Sequence, residues 1–236
     1  MNLILIFEDE LIDGGRGVRL SGRRQRYVRD IHRAGVGDEL CVGLCDGSIG
    51  TGRVAVLNKD ILEMDITLCS NAPSPLPVTL ALALPRPIML KRILASMSSM
   101  GVKRILLFHS HRVEKSFWKS PVLNEESLKE QLILGLEQAR DTILPKVELR
   151  PLFKPFIEDE LPHIAKDTLC LVAHPESSDA CPRHVDRSVT LVVGPEGGFI
   201  PYEIEKLKSL GFAAVHLGER VLRVETAVPA LLSRLF

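Results

Sequence analysis

The sequence predicts an α/β protein in two parts: a small β-barrel-like domain, then a larger domain built on a mainly parallel sheet. Two patterns carry this expectation. Short apolar runs separated by glycine-bearing turns fill residues 1–70, whereas beyond residue 77 strand-length apolar runs alternate with segments of helical spacing. Between them, Asn71-Ala-Pro-Ser-Pro-Leu-Pro77 places three prolines in seven residues, which neither a helix nor a central strand accepts. Domains are therefore expected at 1–70 and 78–236, with 71–77 as the linker.

In the first part, Leu3–Phe7, Glu39–Leu44, Gly52–Leu57 and Ile61–Leu68 read as strands. Gly14-Gly15, Gly35-Val36-Gly37 and Asp46-Gly47 supply turn positions, and Tyr27–Arg33 reads as a short helix. In the second part the strands are Val78–Leu84, Arg104–Phe108, Leu169–Ala173, Thr190–Val193 and Val215–Leu217. The helices are Met89–Met100 (closed by Gly101), Glu125–Ala139, Tyr202–Leu210 (followed by Gly211) and Glu225–Phe236.

Thirty basic and thirty acidic side chains cancel, so no global charge argues for nucleic acid. The charge is uneven, however. Residues 16–33 hold seven arginines (Arg16, Arg19, Arg23, Arg24, Arg26, Arg29, Arg33) and one acid, Asp30, although residues 1–70 carry 9 basic and 11 acidic groups. Such clustering fits a phosphate-binding element. The alternative is a solvated face whose arginines pair with Glu8, Asp9, Glu10 and Asp13. The five cysteines (Cys41, Cys45, Cys69, Cys170, Cys181) form no C-x-x-C pair, so neither a disulfide framework nor a zinc site is expected. No segment has the length of a membrane span, and a cytoplasmic location is expected.

The segment richest in chemistry is Leu191 to Leu235. Gly194-Pro195-Glu196-Gly197-Gly198-Phe199 joins a strand to a helix, and its glycines let backbone approach a ligand closely. Leu217-Gly218-Glu219-Arg220 makes a second such loop. Both fall at the carboxyl ends of expected parallel strands, where open α/β sheets place ligands, although glycine-rich turns of this kind are often purely structural. Neither a dinucleotide fingerprint nor a P-loop occurs, and Gly47-Ser-Ile-Gly50-Thr-Gly52 reads as a turn.

Gly194 to Phe199, then Glu203-Ile204, then Leu217-Gly218-Glu219-Arg220-Val221-Leu222-Arg223-Val224-Glu225-Thr226-Ala227 resembles the signature of the small-subunit ribosomal RNA methyltransferase E family. Those enzymes are SPOUT-class uridine-N3 methyltransferases. The resemblance runs along the chain: Arg23-Arg24 to Asp38 is similar to the family's PUA-like RNA-binding domain, and Leu84-Pro85-Arg86, Gly101-Val102 and Glu137-Gln138-Ala139-Arg140 to its middle segments. Departures fall outside the glycine loops. Pro85-Arg86-Pro87 stands where Pro-Lys-Gly is frequent, Ser99-Met100-Gly101 where Glu-Leu-Gly is common, and Ala139-Arg140-Asp141 where Ser-Gly-Arg is usual.

The resemblance implies a deep trefoil knot near the C-terminus of a SPOUT-type domain, preceded by a PUA-like β-barrel. It implies a homodimer, S-adenosylmethionine as methyl donor with S-adenosylhomocysteine as product and no metal, and small-subunit rRNA or the 30S particle as partner. The cofactor would be held by Leu171, Ala173, His174, Gly194, Pro195, Glu196, Gly197, Gly198, Leu217, Gly218, Val221, Leu222, Arg223, Thr226 and Ala227. Arg223, Arg112 and Glu196 are the candidates for contacting or activating the base, Glu196 being read first as a brace that accepts backbone N–H groups. RNA contacts are assigned to Arg16, Arg19, Arg23, Arg24, Arg26, Arg29, Arg86, Arg92, Arg112 and Arg140. His111 and His174 are read as hydrogen-bonding loop residues, and no side chain stands out as the proton acceptor. The rival readings are a SPOUT enzyme acting on a ribose 2′-oxygen or another base, and a non-catalytic rRNA-binding assembly factor.

Overall fold

The computed structural model describes all residues from Met1 to Phe236. The chain divides into two compact units. One comprises Met1–Ser74 together with Ile133–Leu144; the other comprises Pro75–Leu132 and Pro145–Phe236.

The first unit is built on a six-stranded sheet. Its strands are β1 (Ile4–Ile6), β2 (Leu11–Ile12), β3 (Gly17–Leu20), β4 (Glu39–Leu44), β5 (Ile49–Leu57) and β6 (Leu62–Ser70), in the order β1-β4-β5-β6-β3-β2. β1 and β4 are parallel and the other pairs antiparallel. Helix α1 (Gly22–Tyr27) runs on into a wider turn, Val28–His32, that ends on left-handed Arg33 (φ 54°). The helix thus begins five residues before the expected Tyr27, because the Arg-Gln-rich stretch itself has good helix propensity. The Gly47–Gly52 run holds no ligand loop. Asp46 (φ 57°) and Gly47 turn the chain between β4 and β5, and a Cβ on Gly50 would lie 1.8 Å from the Thr67 carbonyl oxygen at a register shift.

The N-terminal apolar run is continuous because β1 is covered on both sides. Ile4 and Ile6 join a core with Val18, Leu20, Val42, Leu62 and Met64, while Leu3 and Leu5 pack with Leu136, Ile133 and Leu144. The segment 133–144, expected in the second domain, therefore completes the first unit. Its backbone is tied there. The Glu137 carbonyl accepts the N–H groups of Asn2 (2.9 Å) and Leu3 (3.0 Å), and the Asp46 N–H bonds the Thr142 carbonyl at 2.8 Å. Gly43 admits the segment, since a Cβ there would stand 2.4 Å from Thr142 Cγ2.

The Glu137 carboxylate is buried, and Arg23 reaches it at 2.8 Å. Burial raises the Glu137 carboxyl above its ordinary range, and Arg23 opposes that rise. A carboxyl raised in the folded state stabilises the fold below its unfolded pKa and loses that contribution as pH climbs through the folded value. Arg23→Ala is thus expected to cost little near about pH 4 and roughly 1–3 kcal/mol at about pH 7, where an ionised carboxylate loses its partner. Urea unfolding at the two pH values measures this.

The second unit holds six parallel strands: β7 (Val78–Ala83), β8 (Arg104–Phe108), β9 (Lys146–Arg150), β10 (Leu169–Ala173), β11 (Val189–Val193) and β12 (Ala213–Val215). The order is β12-β10-β11-β7-β8-β9. Every residue of β11 is buried, as expected for a central parallel strand covered on both faces. Helices α2 (Pro87–Ser99), α3 (Glu125–Ala139), α4 (Leu161–Ile164), α5 (Pro201–Ser209) and α6 (Val224–Leu235) accompany them, α3 running from this unit into the first. Gly101 (φ 83°) closes α2, with the Val102 N–H reaching back 3.1 Å to the Met97 carbonyl. Pro229 lies within α6. Val228, Leu231, Leu232 and Leu235 of α6 are almost wholly buried within the chain itself. No helix is long and apolar enough to cross a membrane.

Candidate active site

The carboxyl ends of five parallel strands open onto one cleft of about 1010 Å³. The sheet runs outward from β7 to β8 and β9 on one side and through β11 to β10 and β12 on the other, so the cleft lies where ligands enter open α/β sheets. β7 leads to Arg86, β8 to Arg112, β10 to His174, β11 to the Gly194–Gly198 loop, and β12 to His216 and the 217–223 loop.

The glycine loop is shaped by contacts that a side chain would obstruct. A Cβ on Gly194 would lie 3.2 Å from the Phe199 ring, and one on Gly197 would lie 3.1 Å from Cδ of Arg112. Gly198 sits at φ 71°, in the left-handed region where glycine is unstrained, and its N–H closes a turn onto the Pro195 carbonyl at 2.8 Å. Arg112 donates a short hydrogen bond from its guanidinium to the Gly197 carbonyl. Glu196 accepts the Arg86 backbone N–H at 3.0 Å, so this exposed carboxylate braces the loop against the exit of β7.

Glu203, on the first turn of α5, is 2 % exposed. It accepts the Ile200 N–H at 3.0 Å and the His111 N–H at 2.7 Å. Beside it, the His109 Nδ1 accepts the Trp118 indole N–H at 2.9 Å. Burial, with Lys115, pushes His109 below the ordinary histidine range against the opposing pull of Glu203.

On the far side, the His174 N–H bonds the Val215 carbonyl at 2.9 Å, and His216 Nδ1 accepts the Gly218 N–H at 2.9 Å. Gly218 has φ 122°. Arg223 caps α6 through its carbonyl, which accepts the N–H groups of Thr226 (2.9 Å) and Ala227 (2.7 Å).

Among the residues assigned to the cofactor from sequence, the cleft gathers Ala173, His174, Gly194 to Gly198, Leu217, Gly218, Val221, Leu222, Arg223 and Ala227. Leu171 is buried inside β10 and Thr226 is exposed on α6; neither lines the cleft. Arg86 and Arg112 do line it, while Arg92 is exposed on α2 and Arg140 belongs to the first unit. His216, Met89 and Leu231 also line the cleft, outside the residues expected from sequence, and Arg220 joins them from the expected 217–223 loop. His216 escaped because β12 was expected to begin at Val215, where it ends.

The arginine cluster is largely paired. Arg19 meets Glu63 at 2.7 Å, Arg29 meets Asp30 at 2.6 Å, and Arg24 meets Glu10 in a short ion pair. With Arg23 on Glu137, only one of these partners, Glu10, lies among the four acids considered from sequence. Arg26 and Arg33 are exposed.

Residues 72–236 match the model of the RNA methyltransferase domain family. The chain belongs to that family. Its relatives include the ribosomal RNA small subunit methyltransferase E of Treponema pallidum, 28% identical over 98% of this chain and 88% of the relative. The Mycobacterium tuberculosis protein of the same name is 26% identical over 98% and 90%. The resemblance to the methyltransferase E group, read from the paired motifs, is thereby shown. Among solved structures, a Legionella pneumophila methyltransferase in complex with S-adenosylmethionine superposes with a TM-score of 0.78, at 25% identity over 99% of this chain and 96% of that one. A Neisseria gonorrhoeae methyltransferase E shares the fold (TM-score 0.76, 24% identity, 98% and 95% covered).

Proposed function

We propose that this chain transfers a methyl group from S-adenosylmethionine to N3 of a specific uridine in small-subunit ribosomal RNA. One observation carries the reading: the glycine loop, the 217–223 loop and the cations Arg86, Arg112 and Arg223 converge on a single cleft. The names of the relatives and the cofactor bound by the Legionella protein support it.

The residues present suit that cofactor. Gly197 exposes bare backbone, Ala173, Val193, Leu217 and Ala227 offer apolar surface to an adenine, and Arg223 or Arg220 offers a cation to a carboxylate. When bound, the sulfonium supplies a methyl group already activated for transfer. The chain's own part is to orient N3, to balance charge and to let a proton go. Uracil N3 becomes a nucleophile only once its proton leaves, and negative charge then spreads to the ring oxygens. The guanidinium groups of Arg112, held on the Gly197 carbonyl, and of Arg223, exposed at the rim, stabilise that charge. Arginine stays protonated, so the proton passes to solvent. The target base leaves its stack to enter the cleft.

The remaining expectations form one scheme. The first unit acts as a PUA-like RNA-binding module in which exposed arginines such as Arg16 and Arg26 meet phosphates. The enzyme works as a cytoplasmic homodimer. The C-terminal segment threads a knot, a reading supported by how the 174–188 connection embraces it. The Asp179 carbonyl accepts the His216 N–H at 2.8 Å, the Val185 N–H bonds the Leu235 carbonyl at 2.7 Å, and the Cys181 carbonyl accepts Arg234 Nε at 2.6 Å.

N3-methyluridine cannot pair normally and stops reverse transcriptase. Primer extension along the small-subunit rRNA is expected to show one stop in wild-type cells that vanishes when the protein is deleted. A stop that persists overturns the target assignment.

A further inference from the structure

A buried carboxyl group needs partners for its oxygens. Glu203 is 2 % exposed, and each of its two oxygens accepts a backbone N–H. One donor is the Ile200 N–H at the N-terminal turn of α5, and the other is the His111 N–H, 92 residues away in sequence. Two loops are thereby pinned to one group: the one leaving β8 and the one leading from the glycine turn into α5. Arg112 follows His111 directly, and its guanidinium returns to the Gly197 carbonyl. The connection is a closed circuit: Glu203 holds His111, His111 fixes Arg112, Arg112 holds Gly197, and Gly197 to Ile200 lead back to Glu203.

We propose that Glu203 is the positioning residue of this site, acting through Arg112 to preorder the glycine loop and to aim the Arg112 guanidinium into the cleft. His111 and Arg112 form the exposed tip of a turn between buried Ser110 and Val113, and without the His111 anchor that tip must give up side-chain and backbone freedom at each binding event. With the anchor, that ordering is done in the folded protein. The inference rests on the reading of the cleft as the methyl-donor site only for its second measurement below.

The test is a double-mutant cycle in the full chain with E203Q, R112A and both together, E203A serving as a second probe of position 203. Glutamine keeps the size and one acceptor oxygen, so folding is retained while one N–H loses its partner and the charge is gone. The first measurement is amide hydrogen exchange of the ligand-free protein. E203Q is expected to speed exchange about tenfold in both 109–113 and 197–200, the size of one charge-assisted hydrogen bond. R112A is expected to do so in 197–198 alone, and the double variant is expected to match E203Q there. The second measurement is S-adenosylmethionine affinity by calorimetry: each single variant weakens it about tenfold and the double variant scarcely more. Penalties that multiply in the double variant, or exchange that rises only within α5, overturn the proposal and leave Glu203 a helix cap. If the wild-type chain binds no S-adenosylmethionine, the reading of the cleft fails, while the exchange pattern still decides the role of Glu203.

Discussion

Gly197→Arg is expected to weaken S-adenosylmethionine binding at least about a hundredfold, close to 3 kcal/mol, while moving the stability by no more than about 0.5 kcal/mol. Gly197 is exposed on the cleft wall, outside the left-handed region, so its backbone accepts a side chain. The nearest obstacle to a Cβ is Cδ of Arg112 at 3.1 Å, the middle of a flexible side chain. A long residue there must either enter the cleft or displace Arg112 from the Gly197 carbonyl. Both outcomes damage the ligand site and neither touches the core. Gly198 is the contrasting position: at φ 71° any other residue carries backbone strain, so a loss there would mix stability with binding. Calorimetry with Gly197→Arg, beside a thermal melt, separates the two effects. Unchanged affinity would remove the glycine loop from the site.

The largest effect on stability is expected from Phe108→Ala, a loss of about 3–5 kcal/mol. Phe108 is wholly buried at the end of β8 and meets Phe156 (5.2 Å between ring centroids), Phe153 (6.3 Å) and Phe199 (6.2 Å, stacked). Phe199 in turn is the ring against which Gly194 lies. Truncating Phe108 leaves a cavity beneath Phe199, so the variant should lose cofactor affinity as well as stability. Phe108→Leu retains most of the volume and should cost less than half as much, which urea unfolding would register. Equal costs for the two variants would mean that packing at this position is not what holds the loop.

The strands and helices that form the site were legible because their signals are local. β10 and β11 are apolar runs of strand length, and Leu128, Leu132 and Leu136 repeat at helical spacing along α3. β9 was missed because Lys146-Val147-Glu148-Leu149-Arg150 alternates charge with apolar residues at the sheet edge and so presents no run. β2 and β3 were missed as short strands flanking a glycine turn. That residues 133–144 serve the first unit was not legible at all. An amphipathic pattern marks a buried face but not the body that buries it: Leu136 packs with Leu3 and Leu5, which lie 130 or more residues earlier.

The site divides in the same way. The glycine loops follow from composition and position, and their pairing carried the family. The seven arginines are plain in the sequence, but the partners Glu63 and Glu137 lie outside the cluster, so its free positive charge is smaller than the local count. Glu203 offered one local hint, an acid three residues after Ile200 at a helix start. Its second partner, the His111 N–H, belongs to a different strand exit, and no spacing rule encodes a contact of that range.

We propose methyl transfer to uridine N3 from a donor bound in this cleft. Its most direct test incubates the purified chain with methyl-labelled S-adenosylmethionine and 30S particles from cells lacking the protein, then digests the rRNA and analyses nucleosides by mass spectrometry. Label in N3-methyluridine, abolished by Gly197→Arg, is the predicted result. Label in a 2′-O-methylated nucleoside or another base, or no label in any nucleoside, would contradict it.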